Sequence, residues 1–175
     1  MKLVTYESGR QLRTGVVEGK SVVDVKAAID LVRARRGPRS LYSESKFKQA
    51  AALLAESGAA PRDMIALLGH DEAWLKALAV AARGLAREMS QAKSGKKSAA
   101  GADGAVLPLG SVRLRAPITR PGKTTCVGLN YADHAKEQGE ALPASPIFFL
   151  KSSNTIIGPG DAIQLPPNSV QNDYE

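Results

Sequence analysis

The first stretch of the chain alternates apolar and polar positions in short pieces. Lys2–Tyr6, Gln11–Val17 and Ser21–Val25 carry the period of two expected of strands, with turns at Ser8-Gly9 and Glu18-Gly19-Lys20 between them. The period then changes. Val25, Ala28, Ile29 and Val32 recur at helical spacing behind Asp24, which can cap that helix, and Gly37-Pro38 ends it because proline cannot continue it. Phe47, Ala51 and Leu54 line one face of a second helix, closed by Gly58. Pro61 suits the first turn of the next piece, where Met64, Leu67 and Leu68 follow. A longer helix is predicted from about His70 or Asp71 to Met89, with Trp74, Leu78, Ala82, Leu85 and Met89 as its packing seam.

Residues 93–104 are small or charged and cannot bury an apolar face, so they read as a basic linker. Strand character resumes at Val106–Leu109 and Ser111–Ala116. From Pro117 the texture is turn-rich, with short apolar runs at Thr124–Gly128, Pro146–Lys151, Asn154–Gly158 and Ala162–Leu165. One short helix interrupts them, with Asn130 as expected N-cap and Gly139 at its end. The fold class expected is α+β. Residues 1–104 form a small N-terminal α/β domain with a helical block, and 105–175 begin a second, β-rich domain.

Composition narrows the function classes. With 43% apolar residues in 175, a packed core can form. The formal charge of +7 is unevenly held: residues 1–104 contain 18 of the 24 Lys and Arg and 11 of the 17 Asp and Glu, so 105–175 is neutral. The basic residues are scattered along helices and the linker with little aromatic interleaving. They read as solvated faces rather than a nucleic-acid surface. A lone cysteine, Cys126, excludes an internal disulfide, and its apolar strand favours a structural thiol. No apolar run is long enough to span a bilayer, and no secretory signal opens the chain, so a soluble cytoplasmic protein is expected. Two histidines and one cysteine exclude a zinc cluster, and Gly122-Lys123-Thr124 lacks the first glycine of a phosphate loop. His70, at a helix start beside Asp71, reads as satisfied locally.

The chemistry is concentrated in Cys126–Glu137. His134 and Glu137 are three apart, so on a helix they share a face, and a carboxylate beside an imidazole fixes its tautomer and raises its basicity. Such a pair can polarise a water as a general base. It is also the spacing of ordinary solvated neighbours. Phe148-Phe149-Leu150-Lys151 ends an apolar strand with a cation, suited either to snorkelling or to holding a developing oxyanion. Gly158-Pro159-Gly160-Asp161 reads as a turn, and Asp173-Tyr174-Glu175 is acidic.

Taken in order, Gly-x-Asn-Tyr-x-x-His-x-x-Glu (128–137), Pro-x-x-Phe-x-Lys (146–151), Gly-Pro-Gly-Asp-x-Ile-x-Leu-Pro (158–166) and Asp-Tyr-Glu (173–175) resemble the fumarylacetoacetate hydrolase family. The resemblance is close over about Pro117 to Glu175 and weaker before it. It implies a mixed β-sandwich or roll as catalytic domain, usually a homodimer, acting on small 2-oxo acids such as acylpyruvates. The reaction implied is C–C bond hydrolysis, with hydration, isomerisation and decarboxylation on the same scaffold. It implies Mg²⁺ or Mn²⁺ held by two Glu separated by one residue and a later Asp. Carried over residue by residue, His134 and Glu137 resemble the water-activating dyad, Lys151 the residue that steadies an enolate or oxyanion, and Glu175 the first metal ligand. The dyad helix then resembles a lid, flanked by Gly128 and Gly139.

One carboxylate does not make a metal cage. Residues 1–175 are therefore expected to be the front part of such an enzyme, with little or no activity alone. Turnover of an acylpyruvate with Mg²⁺ by this chain would refute that. Two rival expectations are a non-catalytic family member acting as a pairing partner, and a basic interaction module in 25–104.

Overall fold

The computed structural model describes residues 1–34, 45–92 and 104–170. The expected stop at Gly37-Pro38 and the linker up to Asp103 lie outside them. The chain divides into two compact units, Met1–Ile118 and Thr119–Glu175. The division falls later than the linker at 93–104, because the two short strands that follow the linker pair into the first sheet.

That sheet holds β1 (Lys2–Ser8), β2 (Gln11–Glu18), β3 (Ser21–Asp24), β4 (Val106–Pro108) and β5 (Arg113–Arg115). Its order is β4-β3-β2-β1-β5 and every pairing is antiparallel. Two-residue loops join β1, β2 and β3, and a loop that short can only reverse the chain. The first unit is thus α+β with an antiparallel sheet, where α/β was expected. A single turn of 3-10 helix at Leu109–Ser111 separates β4 from β5.

Among the described residues, the rest of the core comes from α1 (Val25–Arg33), α2 (Ser45–Glu56), α3 (Met64–Leu68) and α4 (Glu72–Ala92). The Asp24 cap was expected; at α3 the cap is Asp63, so Pro61 lies ahead of the helix rather than in its first turn. The Asp24 carboxylate accepts from Ala27 N at 2.7 Å, Asp63 from Ala66 N at 2.8 Å and Asp71 from Trp74 N at 2.8 Å. Register places Leu3 opposite Val16, Val16 opposite Val23 and Val23 opposite Val106. That apolar row packs into one cluster with Val25, Ile29, Phe47, Leu54, Leu67, Trp74, Leu78 and Leu85. The alternate positions on the sheet carry Tyr6, Arg13, Gly15, Val22 and Asp24. Gly15 is required there: a Cβ at that position would lie 2.4 Å from Val22 Cγ1 and 3.2 Å from the Tyr6 ring.

The second unit has β6 (Thr124–Gly128) and β7 (Ile147–Lys151), paired antiparallel, with α5 (Ala132–Glu137) between them in sequence. Ser153–Thr155 form a 3-10 turn. The apolar runs Asn154–Gly158 and Ala162–Leu165 were expected as strands; they make no ladder, since an extended segment becomes a strand only when a neighbour takes its hydrogen bonds. Among the described residues of this unit, Ala135 is the one apolar side chain fully withdrawn from solvent.

Candidate active-site segment

The segment begins where β6 ends. Gly128 closes the ladder opposite Ile147, and Leu129 then takes a left-handed backbone conformation, φ 47°. A branched-chain residue there costs on the order of 1–3 kcal/mol, which surrounding structure has to hold in place. The turn delivers the chain into α5. Tyr131, not Asn130, is the N-cap, and it makes no side-chain capping bond. Asn130 was expected there; the helical register starts one residue later because the left-handed turn at Leu129 displaces it.

The far end of α5 is closed more firmly. Gly139 is left-handed at φ 69°. Its N–H donates to the Lys136 carbonyl at 3.2 Å, and Glu140 N–H donates to the Ala135 carbonyl at 2.9 Å. This pair of bonds is a Schellman ending, and it satisfies carbonyls that the helix leaves open.

His134 and Glu137 are both exposed on this helix. The imidazole does not meet the carboxylate: among the described residues no hydrogen bond joins the two. His134 Nε2 lies instead 2.7 Å from the side-chain nitrogen of Gln138. Gln138 was not singled out in the sequence, although its i+4 spacing from His134 is the signal that would have found it. Lys151 is half-buried at the end of β7, opposite Thr124. Register therefore puts it about 14 Å along the strands from the Gly128 end that leads into α5. Lys151 shares its face with Phe149 and, across the ladder, with Thr124 and Cys126. Cys126 is a free, half-buried thiol. Among the described residues the buried Thr124 hydroxyl has no hydrogen-bond partner. The turn at Gly158–Asp161 is closed by its own acid, Asp161 accepting from Gly158 N at 2.9 Å. Asp173, Tyr174 and Glu175 lie outside the described residues.

Among the described residues no three His, Cys, Asp or Glu side chains are grouped closely enough to hold a metal ion.

The first unit carries a separate polar cluster. Tyr6 OH donates to Asp24 Oδ2 at 2.5 Å, and Arg13 reaches the same oxygen at 3.4 Å. Asp24 is 1% exposed, and its other oxygen caps α1. Burial first, and then the adjacent carboxylate, push the Tyr6 phenol well above its ordinary range. A cavity of about 280 Å³ beside the cluster is bounded by Arg13, Asp24, Lys26, Pro61 and Arg62. Its cations are already matched, Lys26 by Asp30 at 2.6 Å and Arg62 by Asp63 at 3.4 Å. His70 stacks on Trp74 with ring centroids 3.8 Å apart, which accounts for it as a packing residue.

Residues 123–175, nearly the whole of the second unit, match the family described as fumarylacetoacetate (FAA) hydrolase, C-terminal. The chain belongs to the fumarylacetoacetate hydrolase family. It is 41% identical over 117 residues to the oxaloacetate tautomerase Fahd2a, mitochondrial, of Rattus norvegicus, covering 67% of this chain and 32% of that protein. It is 40% identical over 115 residues to the Homo sapiens oxaloacetate tautomerase FAHD2A, mitochondrial, covering 66% and 31%. A fumarylacetoacetate hydrolase domain-containing protein 2 homolog of Dictyostelium discoideum is 46% identical over 69 residues, covering 39% and 22%. A match of 117 residues is too long for residues 123–175 alone, so the likeness takes in part of the first unit. The chain spans about a third of the length of the rat and human relatives. No helix among the described residues is long and apolar enough to cross a membrane.

Proposed function

We propose that this chain is part of an enzyme that moves a proton beside the keto group of a small 2-oxo acid, interconverting ketone and enol. His134 is the base, Glu137 its orienting carboxylate, and Lys151 the cation for the enolate oxygen. The base takes a proton from the carbon next to the carbonyl, the electron pair shifts onto the carbonyl oxygen, and that oxygen is protonated to give the enol. The reverse path restores the ketone. The observation that carries this reading is the placement of His134 and Glu137, both open to solvent, on one short helix within the family-matched segment. The names of the rat and human relatives, oxaloacetate tautomerases, favour this reaction.

C–C bond hydrolysis of an acylpyruvate is the second reading, favoured by the name of the matched family, and it asks the same base to activate water. The family's mixed β-sandwich or roll, a homodimer, and Mg²⁺ or Mn²⁺ with Glu175 among its ligands belong to the same proposal. The apolar β6–β7 face left open to solvent supports the first of these. A reducing interior suits the lone cysteine, and the relatives' names carry the mitochondrion beside the cytoplasm as its compartment.

The whole gene product, supplied with oxaloacetate enol, is followed by ultraviolet absorbance with and without Mg²⁺. Enol loss is expected to accelerate, and His134→Ala to lower the rate by about 10²- to 10⁴-fold, the usual contribution of a positioned base. Full activity in His134→Ala would remove His134 as base. Pyruvate released from an acylpyruvate, without enol turnover, would favour hydrolysis.

A further inference from the structure

Gln138 is the C-cap of α5, and its backbone is still helical (φ −84°, ψ −4°). At 3.6 residues per turn, Gln138 lies about 40° round the axis from His134, and Glu137 about 60° to the other side. The imidazole is thus flanked by an amide on one side and a carboxylate on the other. The contact present is with the amide: Gln138 Nε2 stands 2.7 Å from His134 Nε2. An amide NH₂ only donates, so with the amide assigned in this orientation the ring nitrogen it touches accepts. The neutral ring proton then sits on Nδ1, the nitrogen left for a carboxylate such as that of Glu137.

We propose that Gln138 is a positioning residue for His134. Its side-chain amide holds the Nε2 lone pair, selects the Nδ1–H tautomer and caps the basic nitrogen until substrate or water displaces it. This rests on His134 being the base, but it adds a separate property. The amide makes His134 correctly protonated and blocked at once, and the block is weak because the pair is exposed. Contacts at i,i+4 on an open helix bias such an equilibrium by only about 1.5- to 2-fold. The cap therefore yields readily to a bound ligand.

The test needs no turnover, so its failure is distinguishable from failure of the catalytic reading. The chain has two histidines. Diethyl pyrocarbonate acylates unprotonated ring nitrogens, and mass spectrometry separates the two sites, with His70, stacked on Trp74, as internal reference. In Gln138→Ala the rate at His134 relative to His70 is expected to rise about 2-fold. Alanine sustains helix, so α5 persists. In Gln138→Glu the carboxylate can only accept, and the ¹⁵N spectrum of the neutral ring is expected to show the proton moving from Nδ1 toward Nε2. An unchanged rate ratio in the first variant, or an unshifted proton in the second, overturns the proposal.

Discussion

Tyr6 shows how much one side chain of the first unit carries. It is fully buried, it fills the space that Gly15 leaves, and its hydroxyl completes the ring of donors around the buried Asp24. Asp24 is at once the cap of α1 and a carboxylate withdrawn from water, so each donor it loses exposes the cost of burying charge. Tyr6→Phe is therefore expected to lower stability by about 1–3 kcal/mol at neutral pH. The pH dependence follows from the raised phenol pKa. The unfolded chain ionises Tyr6 near its ordinary 10.0, whereas the folded chain resists. The contribution is fully present below about pH 10 and is lost as pH rises toward the higher folded value. Urea unfolding between pH 7 and 11 checks both parts. The wild-type chain should weaken above pH 10 more steeply than Tyr6→Phe. Equal alkaline slopes would mean that the phenol's environment contributes nothing to stability.

At the scale of the element, α5 is too short to stand on propensity: six residues make barely more than one turn, and nucleation alone opposes it. Its Schellman ending at Gly139 and the buried Ala135 hold it. Gly139→Ala puts a side chain at φ 69° and is expected to cost on the order of 1 kcal/mol locally. Amide exchange at Gln138 and Glu140 should then quicken about 5-fold, while Val16 and Leu78 keep their rates; unchanged exchange at both would show the cap to be dispensable. This ending was legible in the sequence as a glycine after a polar helix, as were the Asp24 cap and the seam of α4, because each is a local pattern. The pairing of β4 and β5 was less so. It depends on which distant strand offers an edge, here β3 and β1. The failed strands at 154–158 and 162–165 are short apolar runs of strand composition, and composition does not supply a partner. In the candidate site, His134, Glu137 and Lys151 were singled out by motif order. The Gln138 contact had its i+4 spacing as a signal, one shared with any solvated neighbour.

Across the whole molecule the two units differ in kind. The first closes a five-stranded sheet with helices and buries a continuous cluster from Val16 to Val106. The second leaves Val127, Phe148 and Leu150 on one open face of a two-stranded sheet, with Phe148 65% and Leu150 70% exposed. A two-stranded sheet with nothing on its apolar face is marginal in water, whereas monomers rarely keep such a face open. The family-matched residues therefore lie in the part of this chain with the least stability of its own. The candidate base consequently sits on a helix whose buried apolar side chain, among the described residues, is Ala135 alone. Hydrogen exchange on the 175-residue chain should show amides of Val16, Val23 and Leu78 exchanging at least about 1000-fold more slowly than those of Cys126 and Phe149, since the former open only with the first unit's core. Equal protection of both units in the 175-residue chain would mean that the second unit is stable with its apolar face in water.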